Sequence, residues 1–318
     1  MVAKPYPEFS ILMANYNNGK YIAEAIQSVI DQTHSKWELI IMDDCSTDNS
    51  IHVIDKFLYD SRIRLIMNSS NIGYTNTLLE LLSEIKSPLF GILDSDDVLT
   101  FDAVKLMCDA HKSNPNCGFI YSQFMFCDED LNPIRKGYCR EIPVGCTNLR
   151  DNYSSAFRTI KKVAYLKTAG FNSEFTYGQD RDIIFKMEEI TQLLFVEKIL
   201  YKHRILPWSQ SNDPIKKRIG RCFAIMGKYD AYLRRKNTNI PSLTKREMSI
   251  ELFIGMLLSL LLNNSEQVKF FLIKAFRLNP FIIFSILFYS IDKFFLKTIL
   301  IFKSYWGESR ISSDSKEK

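Results

Sequence analysis

Three carboxylates stand within four residues at the end of an apolar run. Phe90-Gly91-Ile92-Leu93 leads directly into Asp94-Ser95-Asp96-Asp97. The apolar run predicts a buried strand, and the polar residues after it predict a site at the edge of a sheet. Carboxylates this close repel one another, so we expect a hard divalent cation, Mg²⁺ or Mn²⁺, with Asp94, Asp96 and Asp97 as its ligands.

Two other interpretations of this cluster stay open on the cluster alone. It could be an acidic turn whose carboxylates are solvated by water. It could also be an EF-hand loop, but no glycine follows Asp97 at the position that such a loop needs, and no bidentate glutamate comes later. The rest of the chain has to decide between them.

Composition limits the classes of protein that fit. The 318 residues are 46% hydrophobic and 24% charged, which is typical of one large globular domain or a domain with an appendage. The formal charge of +5 is mild and favours no nucleic-acid partner. The seven cysteines contain no CxxC pair, so reduced thiols in the cytosol are expected, and Met1 to Ser10 does not resemble a signal peptide.

Strand and helix patterns alternate through the first hundred residues. Strands are predicted at 9–14, 37–42 and 63–67 and before Asp94, with helices at 20–32, 51–58 and 75–85 between them. This alternation predicts a parallel sheet with right-handed crossovers. Tyr16, Asp44 and Asp96 would then gather at the carboxyl ends of the strands, where such sheets bind ligands.

Glycine-rich phosphate loops are missing from every predicted strand end. There is no GxGxxG motif after the first strand and no GxxxxGK[ST] motif in the sequence. A phosphate bound at this edge would therefore be held through a metal ion rather than through backbone amides alone.

Three motifs in order resemble one enzyme family. Ser10-Ile11-Leu12-Met13-Ala14-Asn15-Tyr16-Asn17, then Asp43-Asp44-Cys45-Ser46-Thr47-Asp48-Asn49-Ser50, then Leu93-Asp94-Ser95-Asp96-Asp97, are similar to the family 2 glycosyltransferases of the GT-A fold. The resemblance implies an α/β fold with a mostly parallel, Rossmann-like sheet flanked by helices. It also implies a nucleotide-sugar donor and inverting chemistry.

The same resemblance assigns roles to single residues. Tyr16 would stack on the nucleotide base and Asp44 would hydrogen-bond it, while Asp96 would meet the ribose or the metal and Asp97 the metal. The nucleotide site as a whole would comprise Ala14, Tyr16, Asn17, Asp44, Asn71 and Asp96. A structural alternative for Asp43 and Asp44 is capping of the next helix, a role that Asp48 fits best.

This chain departs from the family pattern at two places. Ala14 and Asn15 stand where the family usually has proline and then threonine or serine. Many members carry a basic residue soon after the motif that here is Asn71-Ile72-Gly73, whereas this chain has Thr75-Asn76-Thr77. The sequence therefore has no basic residue there that could compensate the charge of the donor diphosphate.

A second acidic motif, Gln179-Asp180-Arg181-Asp182, resembles the acceptor side of the family. Asp180 falls on the position of the general base, which takes the proton of a sugar hydroxyl as that oxygen attacks the anomeric carbon. Gln179 replaces a more usual glutamate, which lowers local repulsion. The alternative role is a helix N-terminal carboxylate, and Asp182 fits it better.

A basic cluster, Tyr201-Lys202-His203-Arg204, follows the predicted strand at 193–200. His203 is a candidate for the metal or the diphosphate, against the plainer interpretation of a structural histidine. Lys202 and Arg204 are alternatives for the same anionic partner. The Gln-x-x-Arg-Trp signature of processive members does not occur, which favours single-sugar addition.

The C-terminal third has a different character. A basic amphipathic helix is predicted at 214–236, with its apolar side formed by Ile219, Phe223, Met226, Tyr229 and Leu233. Of the two apolar segments that follow, 252–262 is too short to span a bilayer, and 281–302 is interrupted by Asp292, Lys293 and Lys297.

These patterns predict a glycosyltransferase domain at 1–213, a helical membrane-associating or packing region at 214–305, and a disordered polar tail at 306–318. We expect the helices to lie on the cytoplasmic face of a membrane, held by their apolar surface and by lysines. A hairpin packed on the catalytic domain or on a second subunit is the alternative, and a homo-oligomer stays open.

The sequence thus predicts an inverting enzyme that moves one sugar from a UDP-sugar or a related donor to a sugar or lipid-linked hydroxyl acceptor, with Mn²⁺ or Mg²⁺, in cell-surface polysaccharide or lipopolysaccharide synthesis. Two alternatives remain. A sugar nucleotidyltransferase would need a basic, glycine-rich loop after the first strand, which 15–20 does not provide. A non-catalytic nucleotide-binding homologue would not need Asp180.

Overall fold

A computed structural model describes residues 7–206 and 213–280 of the chain. Within it, contacts divide the protein into two compact units, Met1–Leu243 and Thr244–Lys318. The first unit contains the sheet and every candidate site residue. The second contains two of the described helices.

The first unit is built on one sheet of nine strands in the order β3-β2-β1-β4-β8-β6-β9-β5, with β7 paired to β6. The strands are β1 (Phe9–Asn15), β2 (Trp37–Asp43), β3 (Ile63–Met67), β4 (Leu89–Ile92), β5 (Val98–Leu99), β6 (Cys117–Cys127), β7 (Pro133–Lys136), β8 (Arg158–Lys161) and β9 (Gln192–Arg204). The helices of this unit are α1 (Ile22–Ile30), α2 (Ser50–Asp55), α3 (Tyr74–Ser83), α4 (Ala103–Ser113), α5 (Lys162–Tyr165), α6 (Gln179–Ile190) and α7 (Pro214–Arg235).

The first four strands confirm the predicted parallel sheet. β1 pairs in parallel with β2 and β4, and β2 pairs in parallel with β3. β1 and β2 are buried along almost their whole length, because helices cover both faces of a parallel sheet and such strands read as continuous apolar runs. The α/β fold predicted from the alternation is therefore correct.

The second half of the sheet was not fully predicted. β8 lies between β4 and β6 and is antiparallel to both, while β6 and β9 are parallel. The strands missed by the sequence analysis, β5, β7 and β8, have two, four and four residues, too few for a period-2 pattern to stand out. The insertion of β8 places Arg158 at the same edge as the acidic loop after β4.

α7, which follows the expected boundary at 213, packs on α6 within the first unit, and that unit ends at Leu243. The rings of Phe175 and Phe223 are 5.0 Å apart. Buried Arg235 donates to the carbonyl of Phe185 at 2.6 Å and to Glu189 Oε1 at 3.0 Å. The expected apolar side of α7 is correct only in part. The helix buries Cys222, Ile225, Tyr229 and Tyr232, whereas Leu233 is 47% exposed.

The second unit contains α8 (Lys245–Leu261) and α9 (Ser265–Leu278). Thr244 and Glu247 form a reciprocal capping box at the start of α8, which satisfies backbone N–H groups that have no partner within the helix. The two helices approach closely at Gly255, where a Cβ atom would lie 2.6 Å from the ring of Phe271. The pair therefore depends on a glycine at that crossing.

The predicted apolar segment 281–302 and the polar tail 306–318 lie outside the described residues. Within the described ranges, 7–206 and 213–280, no helix combines the length and the apolar character that crossing a membrane requires.

Candidate active site

Three loops meet where β1, β2 and β4 end. The backbone N–H of Asp44 donates to the carbonyl of Asn15 at 2.8 Å, and that of Leu93 donates to Leu12 at 3.0 Å. We call residues 16–21 the first loop, 43–49 the second loop and 93–97 the acidic loop. Parallel strands bring these loops to one edge of the sheet, as the sequence predicted.

Asp43 shapes the second loop from within. Its carboxylate accepts hydrogen bonds from Asn15 Nδ2 at 2.7 Å and from the backbone N–H and hydroxyl of Ser46 at 2.8 and 2.6 Å. The side chain is buried. Asn15, which replaces the residue usual in the family, thus ties β1 to β2.

Asn17 joins the first loop to the second. Its N–H donates to Ser46 Oγ at 2.9 Å, and its Oδ1 accepts from the N–H of Thr47 at 2.8 Å. Its φ of 54° lies in the left-handed region, which asparagine tolerates better than most residues. Tyr16, the residue before this turn, keeps 47% of its surface exposed and offers a ring face for stacking. It follows half-buried Ala14 and buried Asn15.

Asp44 links the second loop to the turn before α3. Its carboxylate accepts from Asn68 Nδ2 and the N–H of Ile72, each at 2.9 Å, and from the N–H of Gly73 at 2.8 Å. Asn71 contributes through its Oδ1, which accepts from the same Gly73 N–H at 3.1 Å. A carboxylate offers about four acceptor positions, so Asp44 has roughly one left for a ligand.

Asp48 lies one residue before Asn49, the N-cap of α2, where no side chain makes a capping hydrogen bond. The Oδ1 of Asp48 accepts from the N–H of Ser50, the first residue of α2, at 2.9 Å, and its Oδ2 accepts from the N–H of Gly19 at 2.8 Å. Burial acts to raise the pKa of Asp48, but these hydrogen bonds outweigh it and lower the pKa below its usual value. Asp48 thus has a structural role at the start of α2.

Asp97 in the acidic loop is tied to β9. Its carboxylate accepts from the hydroxyl of Tyr201 and the N–H of Arg204, each at 2.7 Å, and contacts His203 Nδ1 at 3.0 Å. The side chain is 1% exposed. These partners follow Asp97 by more than a hundred residues.

The carboxylates of Asp94 and Asp96 have fewer hydrogen-bond partners than that of Asp97 in the same loop. Asp94 accepts from the hydroxyl of Tyr74 at 3.0 Å. The carboxylate of Asp96 is hydrogen-bonded by its own backbone N–H alone among the described residues, although its backbone carbonyl accepts from Arg204 Nε at 2.8 Å. Burial and the charge of Asp97 raise the pKa of Asp94, and burial with both neighbouring carboxylates raises the pKa of Asp96 to about 7.

The side chains of the basic cluster on β9 face opposite sides of the sheet. Tyr201 and His203 lie two residues apart and face Asp97 together, so Lys202 points to the other side. Burial lowers the pKa of His203, but Asp97 and its neighbours reverse this and raise it to about 9. Arg204 donates to Glu24 Oε2 at 2.8 Å and to the carbonyl of Glu129, so its guanidinium is held within the protein. Its predicted role toward an anionic partner is therefore not supported.

Asp180 lies at the start of α6, where Gly178 takes a φ of 72° and begins the helix. Its carboxylate contacts Arg158 Nη1 at 3.1 Å and accepts from the N–H of Arg181 at 2.9 Å. Its side chain is 42% exposed. Burial acts to raise the pKa of Asp180, but Arg158 and Arg181 outweigh it and lower the pKa below its usual value.

The neighbours of Asp180 have structural roles. Asp182 is buried and forms an ion pair with Lys186 at 2.6 Å, which fits the helix role predicted for it. Gln179 is also buried, and its Oε1 has no hydrogen-bond partner among the described residues. Of the three side chains, only that of Asp180 is substantially exposed.

The acidic loop suits a cation only in part. Among the described residues, no three His, Cys, Asp or Glu side chains are grouped so that they could hold a metal ion by themselves. Asp94 and Asp97 are already hydrogen-bonded, whereas Asp96 offers an unpaired carboxylate among like charges. These residues fit a divalent cation that takes most of its ligands from another molecule.

Comparison with known proteins agrees with this geometry. The Glycosyl transferase family 2 pattern matches residues 10–177. A chondroitin synthase from Escherichia coli is 31% identical over 222 residues, which are 67% of this chain and 31% of that protein. A hyaluronan synthase from Pasteurella multocida is 31% identical over 217 residues, 66% of this chain and 21% of that protein. The chain therefore spans less than a third of the length of these relatives.

Solved structures show the same fold at low identity. S. aureus TarS 1-349 in complex with UDP-GlcNAc superposes with a TM-score of 0.59 and 14% identity over 79% of this chain and 81% of that one. The mannosyltransferase PcManGT from Pyrobaculum calidifontis, in complex with GDP-Man and Mn²⁺, gives 0.55 and 13% over 86% and 74%.

The chain belongs to glycosyl transferase family 2. Its family 2 domain has the GT-A fold, as the sequence motifs predicted. Membership of this family decides against the sugar nucleotidyltransferase.

The glycosyltransferase fold brings most of the predicted residues to one edge of the sheet, namely Ala14, Tyr16, Asn17, Asp44, Asn71, Asp94, Asp96, Asp97 and His203. Arg158 connects this edge to Asp180, since its charge acts on both Asp94 and Asp180. Within this group, Asn17 and Asn71 bond to their own loops.

Sequence reasoning missed three side chains of this glycosyltransferase. Tyr201 was named in the basic cluster but given no role, because the strand was predicted to end at 200; β9 continues to Arg204, so Tyr201 and His203, two residues apart, share a face. Tyr74 follows Gly73 at the start of α3 and had no distinguishing pattern. Arg158 is the first residue of the four-residue strand β8, which the sequence analysis did not predict.

Proposed function

We propose that this glycosyltransferase moves a single sugar from a nucleoside diphosphate sugar, a UDP-sugar in the first place, to a hydroxyl acceptor with inversion at the anomeric carbon. The observation that carries the proposal is the placement of two differently charged carboxylate sites at one sheet edge. The acidic loop is under-neutralised, whereas Asp180 is kept ionised by arginines.

The donor would bind across the three loops. Tyr16 has an exposed ring that can stack on the base, and Asp44 has an acceptor position for a base N–H. The UDP-GlcNAc complex of TarS supports a nucleotide in this fold. A divalent cation, Mn²⁺ or Mg²⁺, would supply positive charge to the departing diphosphate and would be held through Asp96, with His203 and Asp97 beside it.

The acceptor would be activated by Asp180. Its ionised carboxylate takes the hydroxyl proton, the hydroxyl oxygen bonds to the anomeric carbon from the opposite side, and the bond from that carbon to the diphosphate oxygen breaks. An attack from the side opposite the leaving group inverts the anomeric centre. A base with a lowered pKa is ionised throughout the neutral range, as this role requires.

The acceptor and the cellular setting follow from the relatives. Their names include synthases of chondroitin and hyaluronan, so we propose a sugar or lipid-linked acceptor in the synthesis of a cell-surface polysaccharide or a lipopolysaccharide. The test is incubation with Mn²⁺ and a panel of nucleotide-sugars while nucleoside diphosphate release is measured. Release from none of them would contradict the proposal.

The second unit is proposed to hold the enzyme on the cytoplasmic face of a membrane. On α9, Leu272, Ile273 and Phe276 are exposed together with Lys269 and Arg277. Exposed apolar side chains beside basic ones favour a surface of anionic lipid. The expected result is sedimentation with membranes that alkaline carbonate reverses, and a soluble protein after truncation at Leu243. Recovery of the full chain in the soluble fraction at low salt would contradict it.

A further inference from the structure

The turn after Asn71-Ile72-Gly73 provides no cation for a donor diphosphate. The three side chains where many family members carry a basic residue are neutral, and each is bonded to a backbone carbonyl. Thr75 donates to Phe175 at 2.6 Å, Asn76 to Ile72 at 2.9 Å and Thr77 to Gly73 at 3.0 Å. A diphosphate at this edge therefore needs its positive partner from another element.

Most cations near the three loops are already engaged. Arg204 donates to Glu24, to the carbonyl of Glu129 and to that of Asp96. Lys20 pairs with Glu129, and His203 contacts Asp97. None of these side chains can turn toward a ligand without breaking a contact that holds the loops.

Arg158 is placed differently. β8 runs antiparallel to β4 with Gly91 opposite Thr159, so Arg158 lies one position further along, beside the start of the acidic loop. Its side chain is 16% exposed and contacts only the half-exposed Asp180 among the described carboxylates. Its charge reaches Asp94 and Tyr74 as well, and it opposes the rise that burial causes in the pKa of each.

We propose that Arg158 binds the diphosphate of the donor and that it is held on Asp180 while the donor site is empty. A diphosphate carries more charge than one carboxylate and offers oxygens for bidentate pairing with a guanidinium. Donor binding then withdraws Arg158 from Asp180. The carboxylate is left free to accept the hydroxyl proton, so that the base is released only when a donor is present.

This inference rests on the proposed function and deepens it, since it names a donor contact that the sequence motif lacks. It separates Arg158 from a purely structural ion pair. If Arg158 only formed a structural ion pair, its substitution would change the affinities for uridine, UMP and UDP equally. If Arg158 binds the diphosphate, its substitution lowers the affinity for UDP and leaves that for uridine unchanged.

The first experiment measures the affinity of uridine, UMP and UDP by calorimetry, with Mn²⁺ and again in chelator. Arg158→Gln is expected to weaken UDP binding about tenfold or more, the usual effect of losing a charge-assisted hydrogen bond, and to leave uridine unchanged. Arg158→Lys keeps the charge and is expected to lose less. Equal UDP affinity in Arg158→Gln and the unaltered protein would overturn the proposal.

The second experiment uses Asp180→Asn, which does not depend on whether the Arg158 variants fold. Removing the charge of Asp180 frees Arg158, so UDP is expected to bind several-fold more tightly than to the unaltered protein. Weaker or unchanged UDP binding would overturn the proposal. Asp151→Asn is the matched control, because Asp151 pairs with the exposed Arg140 in the same unit and its loss is expected to leave UDP affinity unchanged.

The outcomes keep the two proposals apart. Suppose that the unaltered protein binds UDP and releases it from a UDP-sugar, and that Arg158→Gln and Asp180→Asn bind UDP with the same affinity as the unaltered protein. The proposed function then stands, and the role of Arg158 is overturned. If the unaltered protein binds no nucleotide, both are overturned.

Discussion

Two acidic loops lie side by side at the edge of the sheet, and they are neutralised in opposite ways. In the second loop, Asp43 and Asp44 each accept three hydrogen bonds from the protein itself. In the acidic loop, Asp96 accepts none from any other described residue, and its pKa is raised to about 7. The carboxylates of the second loop are therefore part of the protein scaffold, whereas the acidic loop requires positive charge from outside the chain.

The largest effect is expected from Asp96→Asn. Transfer should fall by roughly 10²–10³ or more, because charge stabilisation of the leaving group is among the largest contributions to such catalysis. Thermal stability should not fall, since the substitution removes like-charge repulsion. Initial rates of nucleoside diphosphate release and thermal unfolding measure the two effects.

Chelation tests the same point without a substitution. Activity should vanish in EDTA and return with Mn²⁺ or Mg²⁺. Asp128→Asn is the control, because Asp128 lies in an exposed turn bonded to Asn132, and its loss should leave both rate and metal response unchanged. Full turnover in excess chelator would break the comparison between the loops.

Asp180→Asn sharpens the comparison with a third acidic site, which is neutralised by arginine. The transfer rate should fall by roughly 10²–10⁴, the usual contribution of a positioned base, while UDP affinity rises, as the release of Arg158 requires. Near-native rates in this variant would place the base elsewhere.

The pH profile reports on the same site. Because Arg158 and Arg181 outweigh burial and lower the pKa of Asp180, the base loses its proton below its usual range, and kcat/KM should stay flat from neutrality down to that range. Arg158→Gln removes one of the charges, so the pKa of Asp180 rises and the acid limb should move to higher pH. A shift to lower pH, or none, would contradict the electrostatic role.

Asp43→Ala addresses the scaffold loop. It leaves the N–H of Ser46 and the amide of buried Asn15 without their acceptor, which costs on the order of 1–3 kcal/mol of unfolding free energy. Urea unfolding measures it. If Asp96→Asn destabilised the protein more than Asp43→Ala, the distinction between the loops would be wrong.

The smallest effect is expected at Asp44, where binding and structure overlap. Asp44→Ala should weaken UDP binding by about 1–3 kcal/mol through an unpaired base N–H, and it should also loosen the turn at Ile72 and Gly73. Asp44→Asn keeps one acceptor and should lose less of both. Unchanged UDP affinity on calorimetric titration would remove Asp44 from the nucleotide site.

How much could be predicted from the sequence depended on how local the signal was. β1, β2 and β3 followed from short apolar runs, and the motifs after β1, β2 and β4 were sufficient to identify the family. The apolar side of α7 was predicted only in part, because the buried surface of this helix is wider than the predicted stripe: it includes Cys222 and Tyr232 as well as Tyr229, whereas Leu233 is exposed.

The charge state of the site could not be predicted for a related reason. The Asp96 carboxylate and the Asp180 carboxylate each belong to a short acidic motif, with Asp97 next to the first and Asp182 two residues after the second. Their different surroundings come from contacts between distant parts of the chain, above all from Arg158 on β8. The four-residue strand that carries it has no recognisable period.

The contact of Asp97 with β9 has a consequence for the protein during its synthesis. Tyr201, His203 and Arg204 emerge from the ribosome 104, 106 and 107 residues after Asp97. The first four strands can pair early, because their contacts are closer along the chain. The acidic loop cannot reach its final arrangement until β9 has been made, so a nascent chain that stops before Tyr201 would contain every donor motif and yet lack a finished donor site.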